Sequence, residues 1–196
     1  MTVIVLALAL SDTPYPVYFD STRLIHFFVG PVIVGLAIPL FHQIKHLKAT
    51  WLPISVALLA GSCAAILSGL LIAWAFGGSQ VTLISLAGKS ATMPIAMALA
   101  GQFDGLVPLA AVSVALTGIA GILMARPLLN LMGIRDPAVR GFSLGLTAHA
   151  LGTARALQHD ETAGAYAALG MALNGLATAL LVPMIFYVCR YLGFFA

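Results

Sequence analysis

Apolar runs dominate the chain, separated by short polar or glycine-rich punctuation, and several approach the ~20 residues a helix needs to cross ~30 Å of hydrocarbon. The short alternating segments of a membrane barrel are missing. Helices are therefore expected. Residues 1–10 (MTVIVLALAL) would reach only ~15 Å as helix. They lack the basic start and small-residue cleavage site of a signal peptide, so they read as a partial helix. Residues 11–23 (SDTPYPVYFDSTR) combine aromatics, prolines and aspartates, which suits an interfacial loop on the non-cytoplasmic side. Full spans follow at about 24–41, 52–76 and 106–129. Gly30, Pro31, Gly35 and Pro39 in the first of these weaken the helix but let a neighbour approach closely. The expected organisation is a partial hydrophobic segment and external loop at 1–23, then a single transmembrane domain at 24–196.

Polar punctuation constrains the topology. His42, Lys45, His46 and Lys48 form one basic loop, followed by Trp51 as an interfacial anchor. Arg126, Arg135 and Arg140 surround another, and the positive-inside rule makes both cytoplasmic. An even number of crossings must separate them, and the spans at 52–76 and 106–129 already supply two. Residues 81–100 should therefore dip in and return, as two limbs of about ten residues reaching ~15 Å. Lys89 to Pro94 would sit at the tip. Pro94 has no N–H for the carbonyl of Ser90, so the backbone must break there, buried in protein or lining a wet cavity.

Residues 141–157 (GFSLGLTAHALGTARAL) align with this stretch at an offset of 59 residues, which also sets GQFDG opposite DETAG. If residues 141–163 re-enter as well, one full crossing separates the two units and they are inverted, a recurring transporter architecture. Arg190 would then face outward. A crossing at 141–157 would instead put the acidic HDE at 159–161 outside and Arg190 inside. The pattern leaves both open. The expected fold class is an all-α polytopic membrane protein, a helical bundle with two broken or re-entrant segments that could form elevator-like inverted repeats.

Composition agrees: of 196 residues, 61% are hydrophobic and 8% charged, against roughly 25% charged in an average soluble domain. The net charge of +3 comes from scattered cations of the kind that orient a membrane protein, which argues against a nucleic-acid partner. Cys63 and Cys189 lie in apolar stretches and read as small hydrophobes rather than a disulfide or metal site. Enzymatic readings find no support. GKS at 88–90 matches a phosphate loop only in part, because the required earlier glycine is Leu83 and no strand precedes it. No nucleophile–base grouping or metal-spaced cluster occurs, so neither catalysis nor a cofactor is expected.

The candidate chemistry is cationic. Lys89, His149 and Arg155 sit among small and apolar residues, where a cation costs roughly 2.5–3.5 kcal/mol at mid-membrane on insertion scales. All six acidic residues fall in predicted loops or near the N-terminus, so no intramembrane carboxylate can neutralise Lys89 or Arg155. The counter-charge is best supplied by a ligand, and the planar fork of Arg suits a small carboxylate. On a continuous helix His149 and Arg155 would point about 120° apart. A break at Gly152, with Thr153 offering a hydroxyl, would let them converge. Gly141 and Gly145, with Ala148 and Gly152, form a small face that suits close helix contact. Plainer roles exist for each: His149 can simply hydrogen-bond a neighbouring helix, and Lys89 and Arg155 can snorkel to an interface. Interhelical hydrogen bonding is the expected role of Asn174 and Ser68.

Three segments carry a family resemblance: GPVIVGLAIPL at 30–40, GKSATMPIA at 88–96 and RDPAVRGFSLGLTAHALGTARAL at 135–157. From about Leu24 onward the chain resembles the LrgB/CidB family of bacterial membrane proteins, which includes YohK and is similar to half of the plastid glycolate/glycerate transporter. The resemblance implies a multi-pass protein of the bacterial cytoplasmic membrane and two functions. One is transport of small monocarboxylates such as pyruvate, glycolate or lactate, with a site at Lys89, Ser90, Thr92 and Pro94 and at His149, Gly152, Thr153 and Arg155. The other is antiholin-like modulation of murein hydrolase export and autolysis, with a small LrgA/CidA-type membrane partner. Cations without counter-ions favour the first. Alternating access would move the two broken segments as a body against the other spans, within a homodimer.

Overall fold

The computed structural model describes residues 44–191 throughout, together with residues 7–8, 10–21, 23–24, 27, 31, 35, 37–42 and 193. All regular structure among these residues is helical. The chain divides into two compact units, Met1–Ile38 and Pro39–Ala196. In the first, helix α1 (Tyr15–Ser21) occupies part of the stretch expected to be a loop. Pro14 and Pro16 preset φ for its first turn, which favours helix over an open loop. Half of the expected span at 24–41, Gly30 included, lies outside the described residues.

In the second unit, α2 (Ala37–His42, which begins just before it) and α3 (Ile44–Ala49) lead into α4 (Trp51–Ala75). Two short helices follow, α5 (Gln80–Leu86) and α6 (Met93–Gln102), and then α7 (Val107–Leu131), α8 (Pro137–Leu157) and α9 (Glu161–Tyr191). Helices α4, α7 and α9 are long and apolar enough to cross a membrane. They are apolar on nearly all faces, and much of that surface stays exposed, including Leu59 and Leu71 of α4 and Leu116 and Leu123 of α7. Such a surface is what a lipid-facing helix presents. The sequence expectations for α4 and α7 agree with these bounds to within two residues.

Residues 80–102 form a hairpin. Ser79 caps α5 by accepting from the Thr82 amide, and the helical path is lost between Ala87 and Thr92, as the missing donor of Pro94 requires. Gln80 and Gln102, the outer ends of the two limbs, line one cavity with Asp104 and Arg190, so both limbs open at the same end of the bundle. Ile84, Ala87 and Leu99 pack with Ile66 of α4 and with Val182 and Phe186 of α9. The amide of Leu106 donates to Ser85 Oγ at 2.8 Å, tying the start of α7 to the same hairpin.

Helix α8 also doubles back. His149 has φ 42° and ψ −130°, outside helical space, and splits α8 into limbs 137–148 and 150–157. Arg140 near the start of the helix and Arg155 near its end line one cavity together. Gly152 in the second limb sits against the Leu144 carbonyl and Ala148 of the first. The break therefore falls at His149 and not at Gly152, whose missing Cβ instead lets the limbs close on each other. On the first limb, Gly141 and Gly145 lie against the backbone of Ala163 and Ala167, the close contact expected of a GxxxG face.

The two hairpins open at opposite ends. The outer ends of α8 share a cavity with Arg126 and Arg135, and His42 Nδ1 donates to Glu161 Oε1 at 3.3 Å, so the basic segment at 42–49, expected as a loop but largely helical in α2 and α3, belongs to this end too. Arg190 lies at the other end beside Gln80 and Gln102.

Candidate functional site

The hairpin tips meet on one side chain. Asn174, fully buried midway along α9, donates from Nδ2 to the Ser90 carbonyl at 2.8 Å and to the Leu146 carbonyl at 3.0 Å. Its Oδ1 accepts from Ser62 Oγ of α4 at 2.7 Å. In an unbroken helix the Leu146 carbonyl would accept from residue 150, but the reversal at His149 interrupts that ladder. Asn174 thus supplies donors to two carbonyls at backbone breaks, where an unmet buried group costs about 1–3 kcal/mol. It makes the interhelical bonds expected of it. Ser68 does not: its hydroxyl bonds Ala65 of its own helix, because it faces outward.

At the first tip, Lys89 is half-buried with its stem over Gly69 of α4, and Nζ donates to Ser90 Oγ at 3.3 Å. Among the described residues no carboxylate pairs with it, the ion pair there being His42–Glu161. Thr92 is the N-cap of α6 and makes no side-chain capping bond, while Pro94 occupies its first turn. The amide-bearing end of α6 thus points at the tip and contributes partial positive charge.

At the second tip, the buried His149 donates from Nε2 to the Val114 carbonyl of α7 at 3.0 Å. Gly118 and Gly121 of α7 make room for the His149 ring and Ala148. Thr153 Oγ1 donates back to the His149 carbonyl at 2.9 Å and lies 3.8 Å from Met171 Sδ. The limb 150–157 begins here, so a second helix N-terminus is aimed at the tip region.

Of the eight residues singled out from the sequence, Lys89, Ser90, Thr92 and Pro94 share the first tip, and His149 lies at the second with Thr153 one turn behind it. Gly152 faces into the hairpin. Arg155 is not brought to either tip. It is exposed and lines the cavity at the basic end with Arg126, Arg135 and Arg140. Six residues of helix at 1.5 Å each, from 150 to 155, carry it back toward the end where α8 began. The sequence reading missed the bridging role of Asn174 between breaks and the part played by Ser62. The one available signal was a lone Asn in an apolar helix.

The described residues form an all-helical protein in which three helices are long and apolar enough to cross a membrane, the class of an α-helical membrane protein. The chain belongs to the LrgB-like family, whose model matches residues 1–188. It is 32% identical to an uncharacterised protein of Haemophilus influenzae, over 95% of this chain and 81% of that one. It is 31% identical to the uncharacterised protein YxaC of Bacillus subtilis, over 94% and 80%. The antiholin-like protein LrgB of Bacillus cereus is 26% identical over 85% of this chain and 73% of its own. No solved structure matches.

Proposed function

We propose that this chain is a transporter of small monocarboxylates, of the pyruvate, glycolate or lactate class, in the bacterial cytoplasmic membrane. The observation that carries the reading is the meeting of two backbone breaks on Asn174, with Lys89 at one and His149 at the other and, among the described residues, no carboxylate paired with Lys89. Two helix N-termini and one ammonium suit a monoanion, whose charge offsets that of Lys89 when both leave water. In this reading the carboxylate bonds Lys89 Nζ, Ser90 Oγ and the first amides of α6, while His149 and Thr153 hold the second tip in shape. Arg155 takes no part in the tip site. The hairpins enter the membrane from opposite sides as inverted units and move as a body against α4 and α7, in a homodimer and alongside an LrgA/CidA-type partner. No reaction is catalysed and no metal or cofactor is used.

The test is uptake of labelled pyruvate, glycolate and lactate into proteoliposomes, with and without the partner. Saturable uptake that Lys89→Ala abolishes, in protein that elutes from gel filtration as wild type does, is the expected outcome. A second reading rests on the name carried by the Bacillus cereus relatives, antiholin-like protein. It would be favoured by absence of saturable uptake in every setting together with altered autolysis in cells that lack the chain.

A further inference from the structure

Arg126 near the end of α7, Arg135 in the following loop, and Arg140 and Arg155 on the two limbs of α8 surround one cavity of about 650 Å³. His159 and Asp160 add to its polar lining, and Leu129, Leu144, Ala156 and Ala163 are among its apolar lining. One carboxylate therefore stands among four guanidiniums, and Asp160 Oδ1 already accepts from the Ala163 amide at 2.8 Å. Arg140 spends Nη1 on Asn130 Oδ1 and the Ile134 carbonyl, which fixes its plane and leaves its other donors available. Among the described residues none of the four makes an ion pair.

We infer that this cavity is a second anion site, distinct from the hairpin tips, and that it takes a phosphate-bearing anion. A monocarboxylate needs one guanidinium fork. Four arginines lining one cavity, Arg140 half-buried and the other three exposed, match the three oxygens and higher charge of a phosphate group. The volume exceeds what a bare phosphate fills, and the apolar lining suits an organic remainder. The cavity also lies at the end that carries the basic segment at 42–49, where anionic headgroups would be drawn to a helix-lined basic pocket. The shared chemistry is a phosphate ester, borne either by a lipid headgroup or by a soluble organophosphate.

The experiment uses the full chain in neutral detergent, with dioctanoyl phosphatidylglycerol, dioctanoyl phosphatidylcholine and glycerol 3-phosphate as probes in separate titrations read by native mass spectrometry. Saturable binding of phosphatidylglycerol alone identifies a headgroup site, and saturable binding of glycerol 3-phosphate identifies a soluble ligand. Either supports the inference when Arg126→Gln with Arg155→Gln weakens it by about tenfold or more, while Arg190→Gln at the opposite end leaves it unchanged. Arg155→Lys keeps the charge but removes the fork, and a partial loss in that variant covers the case in which the double variant does not fold. Absence of saturable binding, equal binding of phosphatidylcholine, or indifference to the arginine substitutions would overturn it. Lys89→Ala is expected to bind the probe as wild type does, so the two sites fail or stand separately.

Discussion

At the scale of single residues, the most demanding conformation belongs to His149. A φ of 42° with ψ −130° lies in a region that L side chains occupy at a cost of about 1–3 kcal/mol. Part of this is offset by the Nε2 bond to Val114 and by the Thr153 hydroxyl on its own carbonyl. Backbone and imidazole can therefore be separated. His149→Gly relieves the strain while losing one hydrogen bond and the packing of the ring against Gly118, so it should lose less stability than a substitution that keeps the strain. His149→Val sets a β-branched side chain at the same φ and should lose about 2 kcal/mol or more. Thermal denaturation in detergent distinguishes them, and equal loss in both would show that the reversal does not depend on backbone freedom. Little of this was legible at His149 itself, since histidine, although enriched at positive φ, adopts it uncommonly, and a single residue gives too weak a signal to place a break. The glycine three residues on looked the better hinge, yet its small size serves contact between the limbs.

At the scale of elements, the two hairpins differed in how openly the sequence declared them. The first was readable because Pro94 lacks a donor and because GGSQ and GQFDG mark its outer ends; both signals are local. The second has no proline at its tip, and its pattern left a re-entry with a break at Gly152 and a single crossing at 141–157 both open. Its reversal depends on contacts with α7 and α9, the most extensive of which is the α8–α9 interface. That interface makes a sharp prediction. A Cβ at Gly145 would run into the Ala167 carbonyl, a backbone atom that cannot swing aside, whereas at Gly101 it would meet only Val107 Cγ2 at 3.6 Å. Gly145→Ala is expected to cost about 2–4 kcal/mol through forced separation of the helices, and Gly101→Ala close to nothing. Comparing denaturation midpoints of the two variants checks it. If both melt like wild type, the first limb of α8 does not pack on α9 as described.

At the scale of the whole molecule, the opposite openings of the hairpins translate into sidedness. With Cys63 and Cys189 replaced by serine, Asp104→Cys is expected to react with an impermeant maleimide in intact spheroplasts, and His159→Cys only after permeabilisation. A single crossing at 141–157 would instead expose both positions from outside, so the pair decides between the two topologies that the hydropathy pattern allowed. Arg190, beside Gln80 and Gln102, follows the first of these.

The sequence by itself determined the helical membrane class, the positions of α4 and α7, the first backbone break and the lack of an intramembrane counter-ion for Lys89. These rest on hydropathy summed over about 20 residues and on the chemistry of single residue types, which need no knowledge of neighbours. Only the tertiary structure decided where α8 turns, which groups satisfy the broken backbone, and that Arg155 joins the arginines of the basic end instead of His149. Each of those outcomes depends on atoms far apart in the chain, such as Asn174 with Ser90 and His149 with Val114, whose proximity no local pattern encodes.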